Sequence, residues 1–193
     1  MLAVATFSSV KSANRSARVA ERSLLAGLRP VLIPSREDDP PERIRFGDNQ
    51  TLIVPGHGGA VEVANENVYM AIALRNGGSG IAVIHGWYPA AREHTNEDPA
   101  PIDEFRRQQL DLYIPAGDIG FWQGALRDRN ESSYPEVRAA VERGARVLVD
   151  LLYGDHEGGQ RMITRFAIAD WEGVEGERVQ ALRHWNVDRS DPR

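Results

Sequence analysis

The sequence predicts a mainly β protein, an antiparallel sandwich or barrel preceded by one helix. Helical spacing of apolar residues is confined to the first thirty positions and one short later segment, while the rest alternates strand-like runs with turns rich in Gly, Pro, Asn and Asp. Almost no helix separates these runs, which favours antiparallel pairing over βαβ units. The 193 residues provide room for one domain and an appendage. We therefore divide the chain into a helical segment at 1–29 and a β-domain at 30–193.

The first segment combines an apolar stub at residues 1–7 with a predicted helix from Ser8 to Leu28. Pro30 ends this helix because it disfavours helical geometry at Arg29 and has no backbone N–H to donate. One helix face is apolar, and a neighbouring face is basic at steps of four, three and four residues. The apolar residues are Val10, Ala13, Ala17, Ala20, Leu24 and Leu28, and the basic residues are Lys11, Arg15, Arg18 and Arg22. Two interpretations follow: the helix packs on its own domain with a solvated basic side, or it lies on a membrane surface.

The β-domain shows strand signals to the end of the chain. Four residues of one parity, Val68, Met70, Ile72 and Leu74, predict a half-buried strand with these side chains in the core. Residues 81–87 are apolar on both parities and predict a central strand, whereas residues 88–104 predict a polar surface loop or flap. A short connecting helix is predicted at 134–144, between Pro135 near its start and Gly144 at its end. The predicted strands lie at 31–33, 44–46, 51–54, 68–75, 81–87, 110–114, 119–122, 147–153, 162–168 and 179–187.

Charge and composition exclude several classes of function. The chain has a net charge of −5, but residues 1–30 carry +4 and residues 31–193 therefore carry −9. A body of this sign is not expected to bind nucleic acid. The absence of cysteine excludes disulfides, a thiolate nucleophile and cysteine-based metal sites. No apolar run reaches the length of a spanning helix, so we expect a cytoplasmic protein that is soluble or attached to a membrane surface. If the stub were the end of a longer apolar segment, the basic residues after it would mark the cytoplasmic side.

The candidate reactive groups cluster in the turn formed by Asp155, His156 and Glu157. A metal site there would need His85, His94 or His184 to converge on it, because a catalytic zinc usually takes three protein ligands. The alternative is an exposed hairpin turn. A lone histidine in an apolar strand, such as His85, is more often a hydrogen-bonded core residue than a ligand, and the parity of His184 predicts a side chain that points away from the core. No nucleophile elbow is present, and we predict no cofactor.

Several segments carry a resemblance to known proteins. LRNGGSGIAV at 74–83, YIPAGD at 113–118 and LYGDHEGGQ at 152–160 resemble the successive hairpins and turns of bacterial immunoglobulin-like sandwich domains. Residues 13–34, FWQGALRD at 121–128 and RHWN at 183–186 look like uncharacterised actinobacterial proteins in which transmembrane helices precede such a domain. The resemblance implies an immunoglobulin-like sandwich and a membrane-associated protein. It implies no activity and no catalytic residue.

These observations lead to one main hypothesis and two alternatives. The main hypothesis is a non-enzymatic, membrane-proximal interaction or sensing module in which Lys11, Arg15, Arg18 and Arg22 contact an anionic membrane surface. The first alternative is a small metal-dependent enzyme or metal-binding module that uses Asp155 and His156 with His85 or His184. The second is a subunit of a homo- or hetero-oligomer formed by strand-edge pairing with an unknown protein partner.

Overall fold

The computed structural model describes residues 2–91, 98–170 and 176–190, with the backbone alone at 2–10, 12, 22 and 26. Within these ranges the chain forms two α-helices and eleven strands. The helices are α1 (Leu2–Leu28) and α2 (Tyr134–Glu142). The strands are β1 (Leu32–Pro34), β2 (Glu42–Arg45), β3 (Thr51–Val54), β4 (Gly59–Ala64), β5 (Asn67–Asn76), β6 (Ala82–Ala90), β7 (Arg106–Ile114), β8 (Ile119–Leu126), β9 (Val147–Gly154), β10 (Met162–Asp170) and β11 (Glu177–Asn186).

The strands form two main antiparallel sheets. In the first sheet β5 pairs with β8 on one side and with β1 and then β4 along the other. The second sheet has the order β11-β10-β9-β6-β7. In an immunoglobulin-like sandwich, β5 and β8 would be strands B and E, and β6, β9 and β10 would be strands C, F and G. The predicted antiparallel immunoglobulin-like sandwich, with an N-terminal helix and one short connecting helix, is confirmed.

The core lies between the two sheets. Val68, Met70, Ile72 and Leu74 of β5 all point into it, as their shared parity predicts. They pack against the inward residues of β9 and β10, among them Phe166, which is fully buried. α2 contributes Tyr134, Val137 and Ala140 to the same cluster, at the helical spacing seen in the sequence. The helix therefore covers one end of the core on its way from the first sheet to the second.

A third layer covers the outer face of the first sheet. Strands β2 and β3 form a separate hairpin, whose turn contains Asn49 in the left-handed region at φ 69°. Ile44 and Val54 of this hairpin pack on Tyr69 and on the alanines of β5. The prediction of a half-buried strand was wrong, because the hairpin buries the opposite face of β5 as well.

Helix α1 precedes the sandwich and contacts it near one end. It includes the apolar stub from Leu2 onward and ends at Leu28, as Pro30 predicts. The described side chains from Lys11 to Leu25 are exposed, and Leu24 is 65% exposed. The helix contacts the domain near its C-terminal end, where the carbonyl oxygen of Leu25 accepts a hydrogen bond from Gln160 Nε2. The interpretation of a helix packed along its own domain was therefore wrong for the described side chains.

The predicted loop at 88–104 is shorter than expected. β6 continues to Ala90, so the first residues of this segment are a strand, and a 3₁₀ turn forms at Ile102–Glu104. Residues 92–97 lie outside the described residues. Phe105, which follows the turn, packs near Tyr88 with ring centroids 6.0 Å apart. Part of the predicted polar loop thus belongs to strand β6 of the second sheet.

The two sides of the sandwich differ. On the β4–β11 side, Val179 N donates to the carbonyl oxygen of His57 at 3.2 Å, and Val61 N donates to Glu177 Oε2 at 2.5 Å. These bonds close that side by joining the two sheets directly. On the opposite side, the edge strands β7 and β8 face each other across an open cleft.

Candidate functional site

The basic residues of α1 form an exposed stripe. Lys11, Arg15 and Arg18 are all exposed and have no ion-pair partner among the described residues, while the side chain of Arg22 is not described. At 3.6 residues per turn, all four positions fall on one side of the helix. The opposite side carries Ala13, Ala17, Ala20 and Leu24. The basic and apolar faces are therefore nearly opposite, whereas the sequence analysis described them as neighbouring. Within the described ranges, no helix combines the length and apolar character needed to cross a membrane.

Asp155 has a structural role in its turn. Its Oδ1 accepts hydrogen bonds from the backbone N–H groups of Glu157 and Gly159, both at 3.0 Å, and the residue is buried. His156 next to it is exposed, with Nε2 3.2 Å from Glu157 Oε1. The carboxylate is thus occupied in holding the β9–β10 turn, while the imidazole points to solvent.

His85 is half-buried in β6, where the β6–β7 ladder is irregular. Burial lowers the pKa of His85, and the charge of Arg161 lowers it further, while Asp155 acts in the opposite direction. A neutral imidazole is therefore favoured at this position. The ring lies against the backbone of Gly154, at the beginning of the turn that holds Asp155.

His184 points into the sandwich, contrary to the prediction. Its Nδ1 lies 2.7 Å from Thr164 Oγ1, which in turn lies 2.8 Å from the buried Tyr153 hydroxyl. The cause is a β-bulge: Arg165 pairs with Arg183 but Phe166 pairs with Ala181, so Leu182 is an extra residue. One extra residue moves every following side chain to the opposite face. Trp185 accordingly packs on the outer face with Leu152 and Ile163 instead of in the main core.

The predicted metal ligands are not brought together in the described structure. In the ranges 2–91, 98–170 and 176–190, no group of three His, Cys, Asp or Glu side chains is placed to hold a metal ion. Asp155 is engaged with backbone N–H groups, and His184 with Thr164. His94 lies outside the described residues.

A cavity in the described part of the chain lies between β7 and β8, and we call it the edge cleft. Its volume is about 570 Å³, within the size range of small-ligand sites. Its walls are the first half of β7, the second half of β8 and the turn of the β2–β3 hairpin. The lining residues are Phe46, Gly47, Trp87, Arg106, Arg107, Gln108, Gln109, Leu110, Gln123, Gly124, Ala125, Arg127, Asp128 and Glu131.

A break in the β6–β7 ladder shapes this cleft. Ile84 pairs with Leu112 and Gly86 with Arg107, so residues 108–111 of β7 face only His85 in β6. Such a bulge bends its strand and re-aims its side chains. Gln108 Nε2 then reaches the carbonyl oxygen of Gln123 in β8 at 3.4 Å. A side chain thus contacts the backbone of β8 where a neighbouring strand would otherwise pair.

Arginines dominate the electrostatics of the edge cleft. Arg106 lies over the Trp87 ring, 4.8 Å from its centroid, and forms an ion pair with Glu131. Burial lowers the pKa of Arg106, with a further contribution from Arg127, although a guanidinium remains charged at neutral pH. Arg107 is exposed and has no hydrogen-bond or ion-pair partner among the described residues. The charged lining residues sum to one positive charge, and Arg127 is paired with Asp48, so Arg107 carries an uncompensated charge in this cleft.

Sequence reasoning missed the edge cleft because its walls come from separate segments of the chain. One signal was present: Arg106, Arg107, Gln108 and Gln109 are consecutive polar residues at the start of a strand that alternates from Leu110 onward. Four polar residues in a row break the two-residue period and indicate an irregular strand. The partner wall on β8 has no comparable signal.

The sheet order defines this chain as an antiparallel β-sandwich protein of immunoglobulin-like topology. No known protein family, curated protein or solved structure matches it. A function must therefore be argued from α1 and the edge cleft themselves.

Proposed function

We propose that this chain is a non-enzymatic interaction module held next to an anionic membrane surface by α1. The observation that carries the proposal is the basic stripe of α1. The described side chains of this helix from Lys11 to Leu25 are exposed and do not pack on the sandwich. Lys11, Arg15 and Arg18 are directed to solvent, and Arg22 continues their spacing. A helix with a basic face and an opposite apolar face is the usual form of a peripheral membrane anchor.

Charge separation supports the same function. The segment 1–30 carries +4 and the segment 31–193 carries −9, so an anionic surface attracts the helix and repels the sandwich. Each basic residue near such a surface contributes about 1 kcal/mol. The apolar face consists mainly of alanine and buries little area in lipid, so binding is expected to be chiefly electrostatic. The sandwich would stand away from the membrane with its edge cleft accessible.

Co-sedimentation with vesicles tests this proposal. We expect the full chain to bind vesicles containing phosphatidylserine and not vesicles of phosphatidylcholine alone. Binding should fall steeply as salt rises from about 0.1 M to about 1 M, since the Debye length then shortens from about 10 Å to about 3 Å. Replacement of Lys11, Arg15, Arg18 and Arg22 by Ala should weaken binding at least about tenfold.

A matched control keeps the charge change and moves it to the sandwich. Arg36, Arg43, Arg45 and Arg143 are exposed residues of the body, and their replacement by Ala alters the net charge equally. This variant should keep most of the binding of the original chain, because the basic residues of α1 are intact. Vesicle binding that changes neither with salt nor with the α1 substitutions would overturn the proposal. An absence of binding to vesicles containing phosphatidylserine would overturn it as well.

A further inference from the structure

The edge cleft presents an unpaired strand edge. β8 pairs with β5 along its whole length, from Ile119–Arg75 to Leu126–Val68, and no other strand in the described ranges pairs with its free side. The N–H and C=O groups of one residue in a strand point to the same side, and successive residues alternate. Because Gln108 reaches Gln123 O from the cleft, the backbone groups of Phe121, Gln123 and Ala125 face this free edge.

The hydrogen bonds in the cleft are incomplete. Gln123 O has the 3.4 Å contact from Gln108, which is longer than an ordinary N–H···O bond. Gln108 Oε1, Gln123 Oε1 and Arg106 Nε are buried atoms without a hydrogen-bond partner in the described structure. Unsatisfied buried groups of this kind are uncommon in native proteins and call for a physical reason. A ligand with alternating backbone donors and acceptors would form hydrogen bonds with the β8 edge. The side chains of Gln108 and Gln123 could then turn to other partners.

The closed side of the sandwich shows why this edge differs from the others. There β4 and β11 are joined by the bond from Val179 N to His57 O and by Glu177, which accepts from Val61 N. On the open side, the contact from Gln108 to Gln123 is made by a flexible side chain. An incoming strand would have to displace only the side-chain amide of Gln108 there, and it would not have to break backbone pairing between two strands.

We propose that the edge cleft binds an extended acidic peptide, which adds to the first sheet as a strand beside β8. Backbone pairing with Phe121, Gln123 and Ala125 supplies the main hydrogen bonds, as in other cases of strand addition. The side chain of Arg107, which lacks a partner in the described structure, receives a carboxylate of the peptide, while Arg106 and Arg127 are already paired with Glu131 and Asp48. This site is independent of α1 and of the proposed membrane contact.

Fluorescence polarisation with a labelled hexapeptide tests the inference. The probe is Thr-Val-Glu-Val-Thr-Val, blocked at both ends, and we expect it to bind with saturation. A peptide with Lys in place of Glu should bind about tenfold more weakly, because Arg107 repels it. A peptide N-methylated at alternate residues should lose binding, since it cannot donate to the β8 edge. No binding of the acidic peptide, or equal binding of all three, would overturn the proposal.

Three protein variants make the test specific to the cleft. Arg107→Glu reverses an exposed charge and should weaken the acidic peptide about tenfold. Gln108→Ala removes the side chain that competes for Gln123 O and should tighten binding several-fold. Arg143→Glu, an equal charge change at an exposed residue outside the cleft, should leave binding unchanged. Equal weakening of peptide binding by Arg107→Glu and Arg143→Glu would show that the attraction is non-specific. It would overturn the assignment of the binding site to the edge cleft.

Two further measurements separate the possible failures. Each variant should keep the far-ultraviolet circular dichroism of the original chain, and Arg107→Glu should bind anionic vesicles as before, since α1 is intact. Absence of vesicle binding by the original chain together with binding of the acidic peptide would overturn the membrane proposal alone. A dimer in solution that the substitution Ala125→Pro dissociates would show that a second copy of this chain occupies the β8 edge. That result would overturn the proposal of an acidic peptide.

Discussion

Arg165 and Asp150 form a bidentate ion pair on the outer face of the second sheet. Arg165 Nε donates to Asp150 Oδ1 and Nη2 donates to Oδ2, both at 2.7 Å. The two residues are register partners on β10 and β9, and their side chains are only 4% and 3% exposed. The Trp185 ring covers the guanidinium at 5.0 Å from its centroid. This arrangement depends on the bulge at Leu182, which turns Trp185 outward.

The ion pair leads to the first prediction. Asp150→Asn should lower the free energy of unfolding by about 3–5 kcal/mol, because it leaves a buried guanidinium without its counter-charge. Urea unfolding followed by tryptophan fluorescence would measure the change. Asp38→Asn, at an exposed carboxyl, serves as the control and should change the stability by less than about 0.5 kcal/mol. Similar stabilities for the two variants would contradict the assigned role.

The second prediction concerns Asn76, a fully buried amide at the end of β5. Its Nδ2 donates to the carbonyl oxygens of Gly80 at 2.7 Å and Ile114 at 2.9 Å. Its Oδ1 accepts from Val31 N at 3.2 Å and Gly78 N at 2.9 Å. Asn76→Ala removes four hydrogen bonds and should cost about 4 kcal/mol of stability, since one intramolecular hydrogen bond contributes about 1 kcal/mol.

Thermal unfolding would measure this loss, with Asn130→Ala as a control on an exposed turn. Asn76→Asp separates the two halves of the interaction, because it keeps acceptors and removes the amide donors. It should also be clearly destabilising, since a charge is then buried. A stability of Asn76→Ala within about 0.5 kcal/mol of the original would rule out this role.

The third prediction concerns the seat of α1 on the domain. A Cβ built at Gly80 would lie 1.9 Å from the carbonyl oxygen of Leu28, whereas a Cβ at Gly77 would first meet the flexible Ile33 side chain at 3.3 Å. Gly80→Ala should therefore displace the C-terminal end of α1 and destabilise the chain by about 1–3 kcal/mol. Gly77→Ala in the same turn should have a smaller effect.

Hydrogen–deuterium exchange would reveal the displacement directly. Arg29 follows α1 and donates from Nη2 to Asn186 Oδ1 at 2.9 Å, which holds it against the domain. The backbone N–H of Ser79 donates to the carbonyl oxygen of Arg29 at 3.0 Å, and its exchange should be faster in Gly80→Ala than in Gly77→Ala, because a displaced helix end opens locally. Equal exchange rates would mean that the close approach of Leu28 does not fix the helix.

The fourth prediction is a pH dependence at Glu177. The pKa of this carboxyl is raised from 4.5 to about 7, chiefly by burial and to a smaller extent by the charge of Asp170, while the hydrogen bond from Val61 N opposes the change. The folded state therefore binds more protons than the unfolded state between about pH 4.5 and pH 7. In that window the contribution of Glu177 to stability falls as the pH rises. The cost of the charged form is complete above about pH 7.

Glu177→Gln removes this cost and keeps an acceptor for Val61 N. The variant should be more stable than the original at pH 8, and the difference should vanish near pH 4, as measured by urea unfolding at both values. Glu104→Gln, at an exposed carboxyl, should show no such pH-dependent difference. A gain for Glu177→Gln at pH 4 equal to that at pH 8 would exclude titration as its cause.

Local sequence patterns were enough to predict most of the elements. The alternation of Val68, Met70, Ile72 and Leu74 requires one apolar face of a strand, and these side chains do line the core. Pro30 ends α1 because its ring prevents helical geometry before it. Gly144, at φ 63°, ends α2 since glycine has no Cβ to clash in the left-handed region. Each signal depends only on residues close in the chain.

Tertiary structure alone decided which side chains share a site. The alternation around His184 predicts an outward ring, but the single extra residue at Leu182 turns it inward to Thr164. Arg107 and Gln123 belong to different sheets, and only the closure of the sandwich brings them to one cleft. Periodicity reports the two faces of one strand, whereas bulges, covering layers and sheet edges depend on pairing between distant segments. The sequence by itself therefore determined the elements and the charge separation of α1 from the domain, and the packing determined the edge cleft.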